Sequence, residues 1–200
     1  GEIRAAVADK AGQNQPWPTD PDGAPHYPGP EAQWSVAQHK AQRAIQPKHT
    51  WRLNMTAALA SIASPLTWQE FDCTGTRAQQ TIKARPQDWG DVVLARSDTP
   101  TSYHLSVVVD DALQGVTHIV RGRDLFDSTA VHRLLQTLLG LPTPLYHHHD
   151  LVLGRDGRKL SKSQADQGLQ HLRETGVKPE QLAALFSAGG NAALQAGATG

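Results

Sequence analysis

Arg155, Arg158, Lys159 and Lys162 crowd the stretch GRDGRKLSKS at residues 154–163 against a single Asp156, a local balance of +3. The whole chain of 200 residues carries 19 Lys and Arg against 19 Asp and Glu, so this excess is local. Lys159 and Lys162 flank Leu160 and Ser161, and Ser163 adds a second hydroxyl. Such a loop can surround a triphosphate. Fixed positive charge beside the departing pyrophosphate lowers the barrier, because negative charge grows there as the bond breaks. A solvated hairpin tip has the same composition, and charge alone does not separate the two readings. Walker A, GxGxxG, HExxH and GxSxG patterns are absent, which removes the common nucleotide, zinc-protease and esterase anchors. His147, His148 and His149 are tempting metal ligands. Neighbours on a strand point to opposite faces, however, so the three cannot converge on one ion, and no metal site is expected there. Cys73 is the sole cysteine, which excludes an internal disulfide or a CxxC zinc knuckle and suits a reducing compartment.

The elements that must position these groups alternate in type. Residues 2–11 read as helix, and a Pro- and Gly-rich loop follows to residue 30. Residues 31–46 read as a helix with Trp34, Ala37, Ala41 and Ile45 on one face, and Thr50–Leu59 and Leu66–Phe71 as short strands. DVVLAR from Asp91 reads as a buried strand, LSVVVDDALQG as helix and THIVRG as a second strand. Asp127 or Ser128 can cap the clearest helix, whose Val131, Leu134, Leu135, Leu138 and Leu139 recur at helical spacing before Gly140 and Pro142 end it. A strand at His147–Leu153 and helices near 164–175 and 179–187 close the chain. The pattern predicts an α/β fold. With 38% hydrophobic residues and no apolar run of about 18, a membrane span is not expected.

KLSKS at 159–163 resembles the second signature of class I aminoacyl-tRNA synthetases. The run YHLSVVVDDALQGVTHIVRGRDLFDST, Tyr103 to Thr129, is similar to the glutamyl-tRNA synthetase branch. Within that branch the chain most resembles the short paralogues that charge the queuosine base of tRNA(Asp), since 37 residues follow Ser163. The resemblance is strong over 86–187 and patchier before, where GEIRAA and DPDGAPHYPG look like pieces of a zinc-bearing insertion.

The resemblance implies the C-terminal part of a Rossmann-type class I catalytic domain, with an inserted α/β segment and closing C-terminal helices. Its expected segments are a zinc-type insertion remnant at 1–49, an acceptor-like insert at 50–90, the second half of the catalytic domain at 91–163, and helices with a loose tail at 164–200. It implies ATP-dependent activation of glutamate and transfer to tRNA(Asp) by a cytoplasmic monomer, with ATP entering as substrate together with Mg2+. Tyr103 and Arg121 match the positions that hold glutamate. A guanidinium can grip a carboxylate bidentately, and a phenol adds a hydrogen bond. Lys162 matches the catalytic, ATP-contacting lysine and Lys159 a more peripheral one, within an ATP-binding run of Lys159, Leu160, Ser161, Lys162 and Ser163. Asp110 and Asp111, adjacent on a helix, are expected to be structural.

Two departures qualify what the resemblance carries. The HxGH signature is expected upstream of Gly1, so these 200 residues alone are expected to be inactive. Zinc is doubtful: of the family's ligands only Tyr27 has a match, and Glu31 stands where a cysteine is expected. An ordinary glutamyl-tRNA synthetase fragment and a catalytically silent tRNA-binding module are the alternatives.

Overall fold

The computed structural model describes residues 2–12, 16–29, 34–45, 48–72, 80–151, 153, 169–181 and 183. The chain divides into two compact units, residues 1–121 with 125–148, and residues 122–124 with 149–200.

In the first unit, α1 (Glu2–Gly12) and α2 (Val36–Ile45) precede β1 (Thr50–Arg52), α3 (Met55–Ala60), β2 (Thr67–Glu70) and β3 (Gln80–Lys83). There follow β4 (Val93–Arg96), α4 (Tyr103–Leu113), β5 (His118–Gly122), α5 (Thr129–Leu139) and β6 (Leu145–His149). Strands β3-β2-β6-β5 form one sheet in that order, and β1 and β4 pair separately. β2 runs antiparallel to β3, with Trp68 opposite Ile82, and parallel to β6, with Glu70 opposite Tyr146.

Where the described residues cover them, the expected elements are present with shifted limits; most of the helix expected at 179–187, and residues 164–168 of the helix before it, lie outside the described residues. Thr50–Leu59 is strand only to Arg52, because the Asn54 side chain accepts the Ala57 N–H and starts α3 in a run of good helix formers. DVVLAR is strand from Val93, and it joins β1 rather than the larger sheet. The strand expected at 147–153 begins at Leu145 and ends at His149, anchored where the Leu145 N–H meets the Thr117 carbonyl. Neither Asp127 nor Ser128 caps α5 through its side chain; Ser128 Oγ donates to the Leu125 carbonyl instead. β3 had no counterpart in the sequence reading.

Helix α5 lies against α4 and β2. It buries Val131, Leu134 and Leu135 among Trp68, Trp89, Val108 and Tyr146, and Gly140 ends it at φ 65°, a left-handed conformation glycine adopts without penalty. Of the expected apolar stripe, Leu138 and Leu139 stay exposed, while Thr129, His132 and Gln136 are buried in their place. The loop at 16–29 is tied to this unit by His26, whose Nε2–H donates to the Asp88 carbonyl at 3.0 Å. Gly90, at φ 59°, admits the His26 ring so closely that a Cβ there would lie 2.9 Å from it.

In the second unit, α6 (Leu169–Glu174) ends at Gly176, φ 86°, with the Val177 N–H returning to the Leu172 carbonyl. The Lys178 N–H then meets Gln181 Oε1 at 2.8 Å where the next helical turn begins. Among the described residues no helix is long and apolar enough to cross a membrane.

Leu134 is fully buried and Leu139 half exposed. Leu134→Ala should therefore lower unfolding free energy by about 2 to 5 kcal/mol, and Leu139→Ala by less than about 0.5 kcal/mol. Urea titrations of the two variants check the contrast, and equal losses would contradict this packing.

Candidate functional site

The fourth residue of β5, Arg121, is held from both sheet and helix. Its Nε–H donates to His148 Nε2 at 3.0 Å and its Nη1–H to His132 Nδ1 at 3.1 Å. Nη2 donates to the Leu125 carbonyl at 3.2 Å and to Thr129 Oγ1 at 2.6 Å. Below it lies the Tyr146 ring, 5.4 Å from the guanidinium carbon and stacked at 2° on His148. A guanidinium has five N–H donors and no acceptor. Four are engaged here, so among the described residues one Nη1–H is left, where a bidentate grip on a carboxylate needs two.

Because arginine only donates, both histidine nitrogens facing it must accept, and this dictates two tautomers. His148 carries its proton on Nδ1 and donates it to Glu70 Oε1 at 2.7 Å. His132 carries its proton on Nε2 and donates it to His104 Nδ1 at 3.1 Å, which leaves the His104 proton on Nε2. Glu70 is fixed in turn by the Trp68 indole N–H, 2.7 Å from the same Oε1. The parallel register that sets Glu70 beside Tyr146 brings it to His148, two residues along the same strand face.

The electrostatics agree with that geometry. Burial, reinforced by the Arg121 charge, pushes His132 down to about 2. Burial also lowers His104, against the raising influence of Asp22, and lowers His148 despite its bond to Glu70. Burial pushes the Asp111 carboxyl up while Arg121 draws it back. The histidines are therefore neutral near pH 7, and the positive charge of the cluster resides on Arg121.

Tyr103 opens α4, after Ser102, whose Oγ accepts the Leu105 N–H. Its half-exposed ring lies 5.7 Å from both the His104 and the His132 rings. Tyr103 and Arg121 thus both contact His132. Beside Tyr103 opens a cleft of about 610 Å³ whose walls include Asp20, Asp22, Tyr27, Arg52 and His104. The Arg52 guanidinium sits 4.5 Å over the Tyr27 ring, in a cleft that Asp20, Asp22 and Asp91 also line. Among the described residues no three His, Cys, Asp or Glu side chains converge as a metal site. Lys159, Leu160, Ser161, Lys162, Ser163, Glu31 and Cys73 lie outside the described residues.

The sequence reading missed His132, His148, Glu70 and Thr129 as parts of this cluster. One signal was available: Thr129, His132 and Gln136 recur at i, i+3 and i+7 on α5, a polar stripe beside the apolar one. His148, set aside as a metal ligand, instead faces inward to Arg121 while His147 Nδ1–H donates to the Phe71 carbonyl at 2.7 Å.

The family described as tRNA synthetases class I (E and Q), catalytic domain, matches residues 73–193, a span containing Tyr103, Arg121 and the lysine loop. The chain belongs to this family. Over 120 residues it is 47% identical to the glutamyl-Q tRNA(Asp) synthetase of Rhodobacter capsulatus, covering 58% of this chain and 43% of that protein. Over 74 residues it is 62% identical to the enzyme of the same name from Xanthomonas axonopodis pv. citri, covering 37% and 25%. The chain thus spans less than half the length of these relatives. A glutamate tRNA ligase from Elizabethkingia meningosepticum matches 82% of this chain and 31% of its own at a TM-score of 0.58 and 20% identity, a likeness of fold. The architecture is accordingly the α/β class I synthetase catalytic domain.

A histidine whose folded pKa lies below its unfolded value, about 6.5, contributes stability that is present above that value and lost as pH falls. For His132 the loss runs from about pH 6.5 towards the folded value of about 2, at up to about 1.4 kcal/mol per pH unit. His132→Gln keeps an acceptor for Arg121 and a donor for His104 without titrating. Between pH 7.5 and 5.5 it should lose roughly 1 kcal/mol less stability than the wild type. Denaturant midpoints at the two pH values measure this, and parallel losses in both proteins would show that His132 is not held neutral.

Proposed function

We propose that the protein activates glutamate with ATP and transfers it to the queuosine base of tRNA(Asp), as a cytoplasmic monomer. The observation that carries this reading is the cluster around Arg121, itself within the synthetase-matched span: a cation held by neutral histidines, with one N–H left among the described residues on the nitrogen that also binds His132. A substrate carboxylate would take that N–H and a hydrogen bond from the Tyr103 hydroxyl. Relatives at 47% and 62% identity, named glutamyl-Q tRNA(Asp) synthetase, support the choice of substrates. The segments 1–49, 50–90, 91–163 and 164–200 remain our proposed division by role.

In the first step a glutamate carboxylate oxygen attacks the α-phosphorus of ATP, which arrives with Mg2+. The α,β P–O bond breaks and pyrophosphate leaves. Of the run Lys159, Leu160, Ser161, Lys162 and Ser163, the Lys162 ammonium would meet the charge that develops on pyrophosphate, with Lys159 in a lesser role. In the second step a nucleophile of the queuosine base attacks the acyl carbon and AMP departs. The chain's own contribution is to orient the carboxylate against a preorganised cation, so that little rearrangement accompanies reaction.

Tyr103 is half exposed, so Tyr103→Phe removes a hydroxyl without disturbing the core. It should weaken glutamate binding about 3- to 10-fold and leave ATP binding unchanged, as for one neutral hydrogen bond. Arg121→Ala should weaken glutamate binding by at least about 10-fold, again without an effect on ATP. Isothermal titration with each substrate checks both, and equal effects on the two substrates would place these residues outside the glutamate pocket.

In a chain that also carries the HxGH signature, Lys162→Ala should slow single-turnover adenylate formation by about 100- to 1,000-fold while changing ATP affinity little, and Arg155→Ala should do far less. A weaker ATP affinity with an unchanged single-turnover rate would make the loop a docking patch.

A further inference from the structure

From Ala32 to Gln69 the chain contains no Asp or Glu, although acidic and basic residues balance overall at 19 each. The same stretch holds Lys40, Arg43, Lys48 and Arg52, with His39 and His49 and three tryptophans, Trp34, Trp51 and Trp68. Trp68 is core. The other two are not. On β1 the Trp51 ring is 48% exposed, with the Arg43 guanidinium of α2 4.7 Å over its centroid and the His49 ring edge-on at 5.5 Å. Trp34 lies 5.6 Å from the His39 ring at the start of α2. No residue of α2 is buried, and no ion pair joins Lys40, Arg43 or Lys48 to another described residue.

We propose that this surface of α2 and β1 binds single-stranded RNA, with an unpaired base stacking at Trp51 beside Arg43 and the neighbouring phosphates meeting Lys40 and Lys48. The inference rests on the reading above in taking RNA as a substrate, and extends it to a surface distinct from the Arg121 cluster. Each component fits that ligand. A half-exposed indole offers a flat face that tolerates any base, and a guanidinium held at its ring extends the platform. The cations of a stretch that holds no Asp or Glu of its own attract phosphates. Paired RNA does not fit, because its bases are stacked within the helix and its deep major groove is too narrow for side chains.

The geometry argues against the main alternative, a basic helix lying on a membrane. Val36 and Ile45, 82% and 75% exposed, are the only large aliphatics of α2, and nine residues at 100° each set them half a turn apart. They do not form the single apolar face that an interfacial helix inserts.

The test compares binding of an unmodified RNA hairpin with an unpaired loop, a blunt duplex of the same stem, and phosphatidylserine vesicles. Trp51→Ala should weaken hairpin binding about 5- to 150-fold, the range for loss of one stacked base, while Trp51→Phe retains most of it. Lys40→Ala and Lys48→Ala should each reduce the slope of log affinity against log salt by about 0.7. Melting temperatures of the variants should match the wild type, since none of these side chains is buried. Unchanged hairpin affinity in Trp51→Ala overturns the proposal, as does equal wild-type affinity for hairpin and blunt duplex. Vesicle binding that depends on Trp51, with no effect on the hairpin, also overturns it. Glutamate titration separates this surface from the proposed function. An unaltered hairpin affinity in Trp51→Ala with glutamate binding intact sinks only the surface; a wild type that binds the hairpin through Trp51 but not glutamate sinks only the glutamate reading.

Discussion

Arginine cannot accept a hydrogen bond, and the organisation around Arg121 follows from that asymmetry. Two imidazoles face its guanidinium, so each must present a lone pair, and each is thereby left with one N–H on its far side. One of those protons requires an acceptor on the sheet, which Glu70 supplies; the other requires an acceptor on α4, which His104 supplies. A single cation thus sets the proton position on three rings and links β2, β5, β6, α4 and α5. Protonating either neighbour would turn an acceptor towards the guanidinium into a second donor and a like charge. Burial and the Arg121 charge both oppose this, and the depressed basicity of His132 and His148 expresses it.

The same arrangement explains why α5 is amphipathic in an unusual sense. One stripe, Val131, Leu134 and Leu135, fills the core, and a second, Thr129, His132 and Gln136, is equally buried but polar. Buried polar groups are tolerated only when paired, and each of these is: Thr129 and His132 by Arg121, Gln136 by Tyr146 at 2.9 Å and by Arg133 at 2.7 Å. Tyr146, held by Gln136 at its hydroxyl, is the floor on which His148 stacks and over which the guanidinium lies. Packing and hydrogen bonding therefore act on the same few side chains. A loss in the polar stripe would be felt as misorientation of Arg121 as well as lost stability, in the way that supporting hydrogen bonds orient a functional group.

The Arg121 cluster and the Trp51 surface differ in how their side chains are partnered. Around Arg121 the described residues leave a single guanidinium N–H, which in the proposed reading would take a small anion in one orientation. Around Trp51 the half-exposed indole and the Arg43 guanidinium over it would, in the proposed reading, suit a polymer that brings its own phosphates and planar bases.

Sequence by itself determined what depends on near neighbours. The α5 pattern, its glycine stop and the alternation of helix with strand were legible because periodicity and capping act within a few residues. The run from Tyr103 to Thr129 lies within the span that matches the family, a resemblance carried by contiguous residues. Limits failed where one local group intervened, as Asn54 does in converting an expected strand to helix after Arg52. The tertiary structure alone decided who holds Arg121: Glu70 meets His148 across 78 residues, His104 meets His132 across 28, and Arg121 meets His148 across 27. It also decided that Thr129, His132 and Gln136 face inward while Leu138 and Leu139 face out. Helical spacing gives a direction around an axis, but only the sheet and helix packed against that axis say which direction is buried.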